Sequence, residues 1–319
     1  MMNILKQHQG PTIAELRIRL PDHWVHRFFE RQLHSLITMG MQKRVKSLLI
    51  DFRKFFILQE PMQRLGSVCS FTLLVSLHLI NAKISTEFIH HLLSNSPALE
   101  LLSIVDSSGD LGHLKFCGPC LKLKHLELRR NEIRILEISA APHIESLELF
   151  PINKDIKIIF KDIPSLTRLS CSFIVIKELL MLRTLKEINL SLDGDCLEEL
   201  HSCFNLIDAF PVLTKASFNM DDYFAYWDYD YEFSNLSYYT GRPKHQCLKV
   251  VEIFGFRGHE YEQELGTYLA HYASNLRKIR VRPCAYNDDE FMTCRLQKLK
   301  SMLPPSVELE ILSVNSLLF

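Results

Sequence analysis

Cys117-Gly118-Pro119-Cys120 is the stretch of this chain best equipped for covalent chemistry. Two thiols separated by two residues can cycle between dithiol and disulfide, provided that a helix N-terminus behind them holds one as a thiolate. Here Leu121 to Leu128 follows at once, and its alternation predicts a strand instead of that helix. The motif therefore reads as a turn, with a thiol oxidoreductase kept as an alternative function. Adding His113 and His125 gives the spacing His-x3-Cys-x2-Cys-x4-His, four ligand types that zinc accepts. His125 falls where a side chain should project from a strand and away from the turn, so no metal is expected. His90-His91 lies in a helical pattern and reads as a solvated pair. Asp193-Gly194-Asp195 lacks the later ligands of a calcium loop and reads as a turn. With no phosphate loop, nucleophile elbow or zinc-protease helix, the expectation is no catalytic residue, no cofactor and no enzymatic activity.

The elements that must carry the polar residues come from a repeat. In Leu123 to Ile133 the apolar positions 123, 126, 128 and 133, with Asn131 among them, fit the leucine-rich-repeat pattern. In that pattern a short strand turns and the Asn side chain satisfies backbone groups. The spacing apolar-x-x-apolar-x-apolar recurs before it at Ile13/Leu16/Ile18, Val45/Leu48/Ile50, Leu74/Leu77/Leu79 and Leu99/Leu102/Ile104. After it come Ile144/Leu147/Leu149, Leu166/Leu169/Cys171, Leu185/Ile188/Leu190, Leu213/Ala216/Phe218, Leu248/Val251/Ile253 and Leu276/Ile279/Val281. The mean interval is about 26 residues, within the range for such repeats. The fold class expected is α/β: a leucine-rich-repeat solenoid, or horseshoe, with a parallel concave sheet and helices or irregular segments on the convex side.

Longer intervals carry helical patterns at His23 to Met39, Thr86 to Ser94, Cys196 to Phe210, Tyr261 to Ser274 and Asp288 to Met302. Between Ala140 and Leu190 the spacing drops to about 20, which predicts extended or short 3₁₀ connections. Val307 to Phe319 should supply a last strand as a cap. The expected organisation is a solenoid over 11–240, continuous with C-terminal repeats and cap over 241–319.

The 37 basic and 37 acidic side chains cancel, so no global field draws in nucleic acid. Apolar runs such as Phe71 to Leu77 are far short of the ~20 residues that cross a bilayer, so no membrane partner is expected. Nine cysteines at irregular spacing, behind an N-terminus lacking a signal-peptide core, point to an intracellular protein, cytoplasmic, nuclear or both.

A protein target on the concave face is the expected partner. Alternation along the strands nominates Arg17, Arg19, His78, His125, Glu127, Arg129, Glu148, Arg168, Lys278, Arg280 and Arg282. Trp227 and Tyr229 join them from Trp227 to Phe233, where aromatic and acidic residues alternate within the longest interval of the ladder. A small-molecule or hormone sensor with a pocket on that face is the other alternative.

Leu248 to Gly258, followed by Glu262, Glu264, Tyr268-Leu269, Ala273 and Asn275 to Ile279, resembles the FBD region of plant F-box/leucine-rich-repeat proteins. Trp24-Val25, Val45 to Leu48 and Asp51-Phe52 are similar to the first repeat of the same proteins. The resemblance implies the recognition half of a receptor subunit for a cullin-type ubiquitin ligase, whose repeats hold a target while an F-box docks onto the adaptor. A repeat strand already begins by Ile13, so the expectation is a chain without an F-box that meets the adaptor only when one is supplied.

Overall fold

Side chains that alternate between core and solvent along five-residue strands set the architecture of the computed structural model. It describes residues 10–19, 26–52, 71–109, 111–118, 121–152, 155–172, 182–192, 207–220, 244–284 and 289–313. Two units divide the chain, 1–166 and 167–319.

The strands of the first unit are β1 (Glu15–Arg19), β2 (Ser47–Asp51), β3 (Ser76–Ile80), β4 (Leu101–Val105), β5 (Leu111–Cys117), β6 (His125–Arg129), β7 (Ile133–Ser139), β8 (Ser146–Phe150) and β9 (Lys157–Lys161). The order β1-β2-β3-β4-β6-β8 forms one parallel sheet, and β5-β7-β9 another. In the larger sheet Leu16, Leu48, Leu77, Leu102, Leu126 and Leu147 stand in register across neighbouring strands, as do Ile18, Ile50, Leu79, Ile104, Leu128 and Leu149. All twelve are buried. These are the second and third positions of the predicted triplets, so six repeats stand where the spacing puts them.

What backs this sheet depends on the residues available. Running the ~17 Å length of a five-residue strand takes about 5 residues as a strand but about 11 as a helix. Between β1 and β2 there is room for α1 (His26–Gln42), and between β3 and β4 for α2 (Thr86–Asn95). The latter is capped by Ser85, whose Oγ accepts from the Phe88 N–H at 3.3 Å. From β4 onward the intervals shorten, and β5, β7 and β9 take the backing position, turning Leu114, Phe116, Leu136, Ile138 and Ile158 into the core. Of the three only β9 lies within 140–190, where extended connections are expected; β5 and β7 precede that span, and their pairing into a sheet of its own is not anticipated from the spacing.

The chain turns at the strand ends through left-handed residues: Asn81 after β3, Asp106 after β4, Arg130 after β6, Ala140 after β7 and Asp162 after β9, with φ between 47° and 54°. Asn131 sits wholly buried beside one of these turns. Its Oδ1 accepts from the Ser107 N–H at 3.0 Å and its Nδ2 donates to the Ile104 carbonyl at 2.9 Å, which closes two backbone groups of the preceding repeat. That is the role the sequence pattern assigns it.

The second unit contains β10 (Arg168–Ser172), β11 (Glu187–Ser191), β12 (Lys215–Asn219), β13 (Val250–Phe256), β14 (Lys278–Pro283) and β15 (Glu308–Ile311), parallel and in sequence order. Its inward rows are Leu169, Ile188, Ala216, Val251 and Ile279, and Cys171, Leu190, Phe218, Ile253 and Val281, all buried. Burial drives the Cys171 thiol up to about 12, which leaves it an inert core atom. Helix α3 (Glu260–Tyr272) follows β13 and α4 (Asp289–Met302) follows β14, within two residues of the predicted bounds. β15 is the expected last strand, with Ile311 exposed. The helix predicted over Cys196 to Phe210 lies outside the described residues except for its end, where 207–209 are helical. Among the described residues no helix is long and apolar enough to cross a membrane.

Two substitutions test this account. Asn131→Ala should strand a buried N–H and a buried C=O and cost about 2–4 kcal/mol in chemical denaturation. Ala140→Gly, at a φ of 47° on an exposed turn, should gain up to about 1 kcal/mol and raise the melting temperature.

Candidate functional site

Every described residue nominated from sequence lies on a repeat strand of its unit, at a position alternating with the buried rows. They do not form one cluster. In the first unit Arg17 bonds Glu15 of its own strand at 2.7 Å, and Arg19 lies 3.9 Å from Asp51 on β2. His78 on β3 touches the Ser76 hydroxyl at 3.1 Å, and its burial lowers the imidazole pKa. His125, Glu127 and Arg129 follow one another along β6 on the same face.

Glu127, Arg129 and Glu148 do come together. The Arg129 guanidinium is paired with Glu127 at 2.6 Å and with Glu148 on β8, and covers the Phe150 ring at 4.8 Å from its centroid. Ser103 on β4 donates to the other Glu127 oxygen at 2.6 Å. Two carboxylates sharing one guanidinium leave this part of the face slightly acidic.

In the second unit the organising group is Glu252 on β13, which sequence reasoning did not nominate. It is only 4% exposed although it stands on the solvent side of its strand. Lys215 reaches it at 2.9 Å from β12, Ser217 at 2.8 Å and Arg280 at 3.2 Å from β14. Arg280 also binds Glu310 at 3.0 Å, and Lys278 binds Glu310 at 2.9 Å and Glu308 at 3.3 Å. Burial alone would push the Glu252 carboxyl up, but the Lys215 ammonium, the Ser217 hydroxyl and the Arg280 guanidinium together hold it below the usual range. Arg282 covers the Phe254 ring at 4.7 Å, and Arg168 is exposed at the start of β10. One signal for Glu252 was available: it interrupts Val251 and Ile253 at a solvent-facing position, in register with Arg280.

Trp227 and Tyr229 lie outside the described residues, as does Cys120. Cys117 is exposed at the end of β5, and the chain after it runs without a helix through 121–124 into β6. The thiol-activating geometry is not formed on that side. His113 belongs to β5 and meets Glu137 at 3.5 Å, while His125 belongs to β6 in the other sheet. No group of three or more His, Cys, Asp or Glu side chains among the described residues converges to hold a metal ion.

This geometry is a ladder of repeat strands presenting polar, cross-paired side chains. Residues 43–215, more than half of the chain, match the family described as FBD-associated F-box protein At5g56370, LRR repeats. The chain belongs to this leucine-rich-repeat family. Comparison with curated proteins gave no match. In a member of this family the strands just described are a repeat-based scaffold of the kind used for protein interaction, and the matched span runs from the end of α1 to the start of β12.

The segment that resembles an FBD region lies beyond that span, and its local construction turns on one carboxylate. After β13 the chain bends at Gly258, φ +76°, where a Cβ would sit 2.4 Å from the Arg295 side chain. Glu262 in the first turn of α3 then reaches back, and one of its oxygens accepts from the N–H groups of Arg257 (2.9 Å), Gly258 (2.5 Å) and His259 (3.0 Å). Its other oxygen is buried with no hydrogen-bond partner among the described residues. The side chain is 1% exposed, and this burial outweighs the three donors and pushes its pKa up to about 7.

Glu252 and Glu262 therefore respond to acid in opposite senses. With its pKa held down, Glu252 contributes stability that is present above about pH 4.5 and lost as pH falls through the folded pKa. With its pKa raised, Glu262 is more protonated in the fold than in the unfolded chain between about 4.5 and 7, so its contribution declines as pH rises through that window and then stays level. Glu262→Gln should remove this decline. Relative to the wild type, its unfolding free energy should gain up to about 3 kcal/mol between pH 4.5 and 7.5 in urea titrations. Glu252→Gln should lower the melting temperature at pH 7 and lose that deficit as the buffer is acidified.

Proposed function

We propose that this protein is the substrate-recognition part of an SCF-type ubiquitin ligase receptor, a non-enzymatic scaffold that holds a protein target on the solvent face of its strands. The observation that carries the reading is the match of 43–215 to leucine-rich repeats described with F-box proteins, joined to the strand ladder. The resemblance of 248–279 to an FBD region supports the same assignment, with 241–319 as FBD-like C-terminal repeats and cap. Where an F-box is supplied, the cullin-type adaptor is the second partner, and the setting is the cytoplasm or nucleus.

The face suits a protein better than an ion or a nucleic acid. From β12 to β15 basic and acidic residues alternate from strand to strand and neutralise one another, so this part of the face offers shape and directed hydrogen bonds over a weak net field. Exposed positions that hold nothing else in place report binding without harming the fold. Arg17→Glu and Arg168→Glu fit that description, one in each unit, because Arg17 pairs only at the surface and Arg168 is exposed.

Crosslinking in cells followed by titration of the recovered target against purified protein provides the test. At least one of R17E, R168E and R129Q should weaken the target about tenfold or more while melting within a few degrees of wild type. Unchanged affinity in all three would remove the solvent face from the mechanism. A fusion carrying an F-box should in addition co-purify with the ligase adaptor.

A further inference from the structure

The outer edge of β15 is patterned like an inner strand of its sheet. The buried row that runs through Cys171, Leu190, Phe218, Ile253 and Val281 continues in register to Ile311, which is 56% exposed although those five are wholly buried. Leu309, which follows Ile279 in the companion row, is half-buried. The backbone is open on the same side. The N–H groups of Glu308 and Leu312 donate to the Arg277 and Val281 carbonyls at 2.9 and 2.8 Å, and successive residues of a strand turn their peptide groups to opposite edges. The N–H and C=O groups of Leu309 and Ile311 therefore point away from β14, and no strand among the described residues pairs with them. A paired backbone edge with an apolar row beneath it is a template for another extended chain.

We propose that β15 takes up an extended segment of a partner protein in which basic and apolar residues alternate, added to the sheet as one more strand. Its apolar side chains cover Leu309 and Ile311 as each repeat covers the one before it. The charge follows from the ladder. Glu252 on β13, Arg280 on β14 and Glu310 on β15 stand opposite one another with alternating sign, and so do Lys278 and Glu308. Glu252, with a strand on either side, is held by a cation from each, Lys215 and Arg280. Among the described residues Glu310 has cations on its β14 side only, Arg280 and Lys278, and Glu308, bonded to Lys278 at 3.3 Å, keeps a side chain 65% exposed. A carboxylate accepts from several donors at once, so lysines or arginines on the added strand complete the outer side of both. A second copy of this chain fits badly: antiparallel pairing with the same face outward sets Glu308 and Glu310 against the same glutamates of the other copy, and like charges directly opposite are destabilising. The edge is separate from the solvent face of the strands and does not depend on the ligase reading.

The test uses the full chain and four fluorescent octapeptides: lysine alternating with valine, glutamate alternating with valine, the lysines and valines in two blocks, and the first peptide with every main-chain nitrogen methylated. The alternating basic peptide should bind saturably and at least about tenfold more tightly than the other three. Hydrogen exchange should show new protection at the Leu309 and Ile311 amides. Ile311→Pro removes an N–H that the ladder does not use, and Glu308→Lys reverses an exposed charge, so each should weaken the peptide about tenfold and melt within a few degrees of wild type. If the proline variant fails to fold, Glu308→Lys decides alone. Equal binding of the acidic or block peptide, binding that survives methylation, protection confined to other strands, wild-type affinity in Glu308→Lys, or no saturable binding would each overturn the assignment. Self-association of the free chain that Ile311→Pro abolishes, read by sedimentation, would give the edge to a second copy and overturn it as well.

Discussion

A strand of five residues with two leucines on one side has an apolar edge that it cannot cover by itself, and its neighbour of identical pattern can. The in-register rows from Leu16 to Leu147 and from Ile18 to Leu149 satisfy that constraint in the first unit. Fully burying each such side chain contributes roughly 1.5–3 kcal/mol. The register that gives this burial also fixes which residues point the other way. Glu127, Arg129 and Glu148 meet only because Leu126 and Leu147 are aligned beneath them, and Lys215, Glu252 and Arg280 only because Ala216, Val251 and Ile279 are.

The polar face is consequently a product of the core, and its two parts differ in character. Around Arg129 the ions are half-exposed and share one cation between two carboxylates. Around Glu252 a buried carboxylate is held by three donors from neighbouring strands, an arrangement that resists displacement by a partner. A scaffold of this kind discriminates partners by where its charges are already satisfied as much as by where they are free.

Glu262 shows the same economy inside the chain. A single buried carboxylate closes three backbone N–H groups of the turn built on Gly258, at φ +76°, between β13 and α3. The group quoted in the family resemblance thus has a local structural duty, and its raised pKa follows from burial, not from catalysis.

Much of the fold was legible because a repeat writes the same constraint many times. Every apolar triplet became a strand, and helix ends fell within a few residues, since Pro304 and Pro305 or an N-cap such as Ser85 mark them locally. The buried Asn131 was likewise readable, as a polar residue in an apolar frame. The second sheet of β5, β7 and β9 was not, because a short backing segment can be a strand or an irregular stretch until its neighbours show whether they pair with it. Nor was Glu252, whose importance comes from Lys215, 37 residues before it, and Arg280, 28 after it. Periodicity records which way each side chain points, and that is a property of a strand alone. Which side chains then meet depends on loop lengths that bring distant strands side by side, and only the tertiary structure decides that.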